Sequence, residues 1–195
     1  MRVLDLGCGP GRDLLPWGVG SSDEVTGLDI DGSSLRIAHL NFPGRNFVCG
    51  AGESLPFKDQ SFDRVISGVA LPYMNIPKAL AEIHRILVPG GRMSLSLHLP
   101  SFTASELLHH AIPRPIPTLF RLYVMANGLL FHYTGNTVGF FRGRTESFQT
   151  QRGMKIALAR SGFENISFSR KAVATGEAFA VTATKPRPMA VAAAA

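Results

Sequence analysis

Three glycines at two-residue spacing, Gly7, Gly9 and Gly11, follow Asp5 in the run VLDLGCGPGRD from Val3 to Asp13. A strand that turns through such a loop into a helix leaves a crevice in which backbone N–H groups and the positive end of the helix face a ligand. Glycine suits these positions because a Cβ would block close approach and because some of them need a positive φ. A second carboxylate, Asp29, stands in GLDID. At a strand end it can accept hydrogen bonds from both hydroxyls of a ribose, each charge-assisted bond being worth roughly 1.5–3 kcal/mol. The two features together point to an adenosine-bearing ligand. Alone they do not separate a nicotinamide or flavin dinucleotide from other adenosine cofactors.

Apolar runs alternating with helix-like stretches supply the elements that must hold these residues, which is the pattern of βα units on a parallel sheet. Strands are expected at Arg2 to Leu6, Glu24 to Asp29, Asn46 to Gly50, Phe62 to Gly68 and Arg92 to Leu99. Short helices are expected near Arg12 to Gly18 and from Ser33 to Leu40, the latter capped by Ser33 or Asp31. Lys78 to Leu87 carries a one-faced apolar stripe that Pro89, Gly90 and Gly91 should stop. From Pro100 to Arg144 the pattern dissolves into an aromatic, proline-interrupted stretch, far longer than an ordinary connection and of the kind that forms lids or binding elements. Helical spacing resumes over Phe148 to Arg160, and a hairpin of Glu164 to Ala172 with Glu177 to Thr184 follows. Residues 186–195 carry no packing pattern and read as a disordered tail, leaving one domain over residues 1–185.

At 195 residues with 45% apolar side chains the chain can bury one α/β core. No stretch is long and apolar enough for insertion into a membrane, and no secretory leader is legible, so a cytoplasmic protein is expected. Cys8 and Cys49 lie far apart without metal-ligand spacing and read as reduced thiols, so no metal is expected. The net charge of +6 is uneven: nine Lys and Arg stand against ten Asp and Glu over residues 1–100, and eleven against four over 101–195. Such a balance suits an anionic substrate, a membrane surface or nucleic acid, or merely a solvated basic face. The basic residues are scattered, with no aromatic interleaving of an RNA-binding module, and no nucleic acid partner is expected.

The segments AGESLPFKDQSFDRVIS and ALAEIHRILVPGGRMSLS follow the glycine loop and GLDID in order. Over Val3 to Leu97 the sequence resembles the class I, Rossmann-like S-adenosylmethionine-dependent methyltransferases, and within them the small-molecule enzymes often called type 11. The resemblance implies a seven-stranded, mostly parallel sheet in the order 3-2-1-4-5-7-6 with the last strand antiparallel, helices on both faces, and a helical or irregular insertion between strands five and six. It implies that Asp5, Gly7, Cys8 and Gly9 hold the methionine end of the cofactor, that Asp29 takes the ribose, and that Ile30 packs on adenine. Gly52 and Glu53 match the adenine-contacting pair, and Ser67 and Gly68 match the residues beside the sulfonium. Ala51 departs from the acidic residue usual there, removing a hydrogen bond to the adenine amino group. The family also carries helices ahead of its first strand, whereas this sequence starts two residues before Val3.

Methyl transfer from a sulfonium is an in-line displacement, so the protein's main task is to align the acceptor at about 3–3.5 Å, which supplies roughly 7–11 kcal/mol of the barrier. A neutral hydroxyl or amine acceptor benefits from a general base. The candidates at strand ends are His98, after strand five, and Tyr73, after strand four. His109, His110 and His132 match no defensible metal spacing. Nucleobase amino methylases usually place Asn or Asp before Pro-Pro and an aromatic residue at the end of strand four; this chain has Ala70, Leu71, Pro72 and Tyr73. The aromatic-rich insertion, with Phe120, Tyr123, Phe131, Tyr133, Phe140 and Phe141, favours an apolar or aromatic small-molecule acceptor. Two other readings are a non-catalytic binding or scaffolding module on the same fold and a nicotinamide-dependent reductase, the second of which leaves LPFKDQSFD and LVPGG without a role.

Overall fold

The computed structural model describes residues 1–11, 17–98, 115–139, 145–173 and 176–188. The helix expected near Arg12 to Gly18 and the tail from 189 onward fall largely outside the described residues, as do His109 and His110.

The sheet has seven strands in the order β3-β2-β1-β4-β5-β7-β6. β1 (Arg2–Leu6) lies in its interior, between β2 and β4, because RVLDL is apolar toward both faces: Val3, Leu4 and Leu6 are wholly buried, as a strand covered by helices on both sides must be. It runs parallel to β2 (Glu24–Asp29), with Leu6 opposite Leu28, and to β4 (Phe62–Gly68), with Asp5 opposite Ile66. β3 (Asn46–Cys49) and β5 (Leu87–His98) extend the parallel pairing on either side. β7 (Gly176–Thr184) is antiparallel to β5 and to β6 (Glu164–Val173), so the terminal hairpin inserts its second strand next to β5. The strand order, the antiparallel last strand and the hairpin agree with the expectation from sequence.

Asp31 caps α1 (Gly32–Asn41), its carboxylate accepting from the Ser33 and Ser34 N–H groups, so the helix begins one residue before Ser33. The hydrogen bonds from these serines hold the Asp31 carboxyl well below the usual carboxylate range. α2 (Ile76–Ile86) starts earlier than the apolar stripe alone indicates, because Asn75 caps Lys78 N–H and Pro77 sits in the first turn, where its missing N–H costs nothing. Ile76, Ala79, Leu80, Ile83 and Ile86 are wholly buried; each of the larger side chains contributes roughly 1.5–3 kcal/mol through burial.

The Pro89-Gly90-Gly91 run does not act as the helix stop. Leu87 already has extended backbone, and β5 runs straight through the triplet. Between the Phe62–Leu87 and Arg64–Arg92 pairings β5 carries the extra residues as a bulge, with Gly90 at φ 80°. A bulge is where a strand tolerates proline and left-handed glycine.

The long insertion contains α3 (Pro115–Thr134). Its helical period was hidden because apolar residues surround it on all sides, leaving no one-sided stripe. It packs on α4 (Gln151–Arg160), which Thr150 caps through Gly153 N–H, three residues later than Phe148. Phe131 of α3 joins Met154, Ala157 and Leu158 of α4 in the same core as the central strands. Gly153 and Gly128 permit this contact: a Cβ on Gly153 would lie 2.5 Å from the Phe131 carbonyl oxygen, and one on Gly128 would lie 2.1 Å from the Phe148 ring. Gly162, at φ 81°, follows α4, as anticipated. Among the described residues no helix is long and apolar enough to cross a membrane.

Candidate functional site

The carboxyl ends of β1, β2 and β4 and the loop after β3 enclose a cavity of about 590 Å³, inside the range of about 300–1,000 Å³ typical of small-molecule sites. Gly7, Asp29, Ile30, Gly52, Glu53 and Tyr73, all singled out from sequence, contribute to its wall. Leu28, Gly50, Ala51, Ala70, Met74 and Thr145 complete it.

The glycine loop is tied to β2. Gly7 and Cys8 N–H both donate to the Leu28 carbonyl, at 2.7 and 3.1 Å, and Gly9 N–H donates to Asp29 Oδ2 at 2.8 Å. Asp29 Oδ1 accepts from Asp31 N–H at 2.9 Å. Each oxygen of Asp29 is thereby held by one backbone donor and keeps a lone pair for a ligand hydroxyl, so the carboxylate is aimed before any ligand arrives. Ile30, 75% exposed, stands beside it at the rim as a flat apolar surface.

The glycines serve different ends. Gly7 has φ 73°, and a Cβ there would lie 2.2 Å from the Ala70 Cβ, so glycine is required by the chain after β4. Gly9, at φ 50°, has open space on that side, and of Gly7, Gly9 and Gly11 it alone leaves room for close approach to its backbone. At Gly52 an added Cβ would lie 2.5 Å from Met74 Sδ, so a side chain there would displace the Met74 thioether that lines the cavity. Glu53 Oε1 accepts from Asn75 N–H at 2.7 Å, which clamps the loop after β3 onto the start of α2. Ala51 and Ser54 close the same loop by an isolated antiparallel bridge.

Asp5, Cys8, Gly9, Ser67 and Gly68 do not line the cavity. Asp5, Cys8 and Ser67 are buried behind the loop and at the end of β4. Burial, followed by the charges of Asp5 and Asp29, pushes the Cys8 thiol up to about 12. Ser67 is completely buried, and its hydroxyl has no hydrogen-bond partner among the described residues. Gly68 pairs with Ser96 of β5. Tyr73 ends a short 3-10 turn, Leu71–Tyr73, and is 59% exposed at the cavity. His98 is the last residue of β5, opposite Ala178; the expectation for its side chain lies outside the described residues. His132 is engaged elsewhere, its Nδ1 lying 2.9 Å from Thr150 Oγ1.

Two features of the site had little signal in the sequence. Val69, between β4 and Ala70, has φ 60°, a conformation costly for a β-branched residue and characteristic of functional loops. Its N–H donates to the Ser96 carbonyl, which fixes the turn. Thr145 reaches the cavity from far along the chain. Its neighbour Glu146 offers its carbonyl to Asn127 Nδ2 of α3 at 2.8 Å, and Asn127 Oδ1 accepts from Val138 N–H at 2.8 Å. No local pattern announces a wall residue placed by a buried asparagine.

A pre-aimed strand-end carboxylate, an apolar shelf beside it and an open backbone loop fit an adenosine with an extended charged arm. Residues 4–95 match the family model described as a methyltransferase domain. Over 97 residues the chain is 39% identical to the malonyl-[acyl-carrier protein] O-methyltransferase of Erwinia pyrifoliae, covering 49% of this chain and 37% of that protein. Over 119 residues it is 38% identical to the demethylmenaquinone methyltransferase of Renibacterium salmoninarum, covering 57% and 50%. The chain thus spans half or less of these two relatives' lengths. The fold superposes on a SAM-dependent methyltransferase from Methanosarcina mazei with a TM-score of 0.65 at 22% identity, covering 96% and 93% of the two chains. Sheet order, cavity and sequence relatives agree on a methyltransferase domain over residues 4–95, built on the Rossmann-like fold of the class I S-adenosylmethionine-dependent methyltransferases.

Proposed function

We infer that the chain transfers a methyl group from S-adenosylmethionine to a small apolar or aromatic acceptor. The observation that carries this reading is the Asp29 carboxylate, fixed by Gly9 and Asp31 N–H groups at the mouth of the cavity. S-adenosylmethionine, when bound, supplies an already activated sulfonium methyl. Asp29 holds the ribose, Ile30 and Gly52 bound the adenine side, and Gly7 and Gly9 present backbone toward the methionine end. Asp5, Cys8, Ser67 and Gly68 support that surface from behind. Glu53, one oxygen of which is committed to Asn75 N–H, keeps the other for the adenosine.

The acceptor enters past Tyr73 and Thr145, with residues 100–145 serving as lid or acceptor-binding element. Tyr73 orients the acceptor and excludes water, and together with His98 is assigned any proton removal a neutral acceptor requires. A quinone precursor in the name of one relative agrees with an apolar acceptor, as does the cavity wall of Leu28, Ile30, Ala70 and Met74. A nucleobase amino group is disfavoured as acceptor, because the chain after β4 offers Ala70 where an amide or carboxylate would receive amine hydrogens.

Isothermal titration with S-adenosylhomocysteine tests the cofactor assignment: saturable binding is expected, and its absence from folded protein refutes the assignment. Labelled-methyl transfer into a cell extract, followed by identification of the product, tests the reaction. Cofactor binding without labelled product in any fraction would leave a non-catalytic module as the better reading.

A further inference from the structure

α3 turns an apolar face outward. Among its described side chains Leu119, Leu122, Ala126, Leu129, Leu130 and Tyr133 are exposed, and their spacing places them on one side of the helix. Leu119 and Leu122 are each 59% exposed and Tyr133 is 65% exposed. The opposite side is already used: Val124, Asn127 and Phe131 are buried against the body of the protein. A contiguous apolar stripe of this kind marks an interaction surface.

The charge around the stripe decides what covers it. Among the described residues of 115–163 stand four Lys and Arg, Arg121, Arg152, Lys155 and Arg160, and a single acidic residue, Glu146, whose backbone is bound to Asn127 and Tyr123 of α3. Arg152 and Lys155, three residues apart, are both exposed on α4, the helix packed on α3. The Arg152 guanidinium lies 5.7 Å from the Tyr133 ring, which ties the basic rim to the end of the apolar stripe. An apolar face bordered by cations is complementary to an anionic bilayer surface: leucines enter the headgroup–acyl boundary while the cations meet phosphates. A second copy on this face would bring two basic rims together. Since α3 is not apolar enough to span a bilayer, it would lie flat.

We propose that α3 seats this protein on anionic phospholipid membranes, with Leu119, Leu122, Leu129 and Tyr133 inserted and Arg152 and Lys155 on the headgroups. The helix is also anchored to the cavity wall, because Asn127 holds Glu146 beside Thr145. Such docking goes beyond methyl transfer and is tested without it.

The full chain is mixed with vesicles of phosphatidylcholine, with and without phosphatidylglycerol, and binding is read by flotation. Binding is expected only with phosphatidylglycerol and is expected to weaken as salt rises. The L119Q/L122Q/L129Q variant changes exposed side chains only, so its circular dichroism should match that of the parent while its partitioning falls by about tenfold or more. The R152E/K155E variant should lose several-fold of its preference for the anionic vesicles. Absence of flotation with both vesicle types, or unchanged flotation of the triple variant, overturns the proposal. So does a dimer, seen by light scattering, that the triple variant abolishes, since the face would then belong to a second copy. Neither cofactor nor turnover enters these measurements, so their failure is distinct from failure of the methyltransferase reading.

Discussion

The cavity has two walls built by different means. On the side of β1 and β2 the wall is backbone: glycine N–H groups, the Leu28 carbonyl and one carboxylate, locked together by short-range bonds between strand ends. On the side of α3 and residues 145–150 it rests on buried side chains, with Asn127 linking Val138 and Glu146 and Phe148 seated against Gly128. The first half of the chain is nearly neutral and the second strongly basic. A wall made of main chain recognises one ligand rigidly. A wall made of side chains on a separate helix pair can change with the acceptor while the sheet stays the same.

This contrast is tested first at Gly7. Gly7→Val places a branched side chain at φ 73° against Ala70, and S-adenosylhomocysteine affinity measured by isothermal titration should fall by about 100-fold or more, since the loop itself must move. Asp29→Ala removes the acceptor of both loop N–H groups; a loss of about 10- to 100-fold in the same titration is expected for charge-assisted bonds. On the other wall, Gly128→Ala drives a methyl group into Phe148 and should cost about 1–3 kcal/mol of stability in urea unfolding. Its cofactor affinity should stay within about twofold, because the two walls are largely independent. An equal loss of affinity in Gly128→Ala would break the comparison.

Cys8 gives a smaller, pH-dependent effect. Its thiol is held at about 12 in the folded chain against an ordinary value of 9.0, so unfolding releases the proton. Stability should fall as pH rises through this window by at most about 1.4 kcal/mol per pH unit, and urea melts of Cys8→Ala should lose that slope. In native protein an alkylating agent should label exposed Cys49 and leave buried Cys8. The smallest effect is a gain: Ala51→Asp at the cavity wall should tighten S-adenosylhomocysteine by about three- to fivefold by restoring one hydrogen bond.

Local chemistry made part of the strand-end wall of the cavity legible from sequence. Asp5 to Gly11, Asp29 and Gly52-Glu53 are short patterns at strand ends, where backbone geometry alone determines what a residue can do, and the apolar runs set strand positions to within a residue or two, except that β5 begins five residues before the expected Arg92. The Pro89-Gly90-Gly91 triplet reads as a helix stop in the sequence because a helix stop and a strand bulge use the same residues, and only pairing with β4 distinguishes them. The bounds of α3, within an insertion expected to be helical or irregular, are not legible in the sequence because an all-round apolar helix has no one-faced period.

The amino-acid sequence by itself determined the class of fold and which residues could face adenosine, since both depend on interactions within a few residues or between neighbouring strands. Only the tertiary structure decided that Gly7 is required by Ala70, that Cys8 and Ser67 stand behind the cavity, and that Thr145 joins its wall. Those facts rest on contacts between segments from 19 to more than 60 residues apart, such as Gly7 with Ala70 and Asn127 with Glu146. Packing makes such contacts, and no local pattern encodes them.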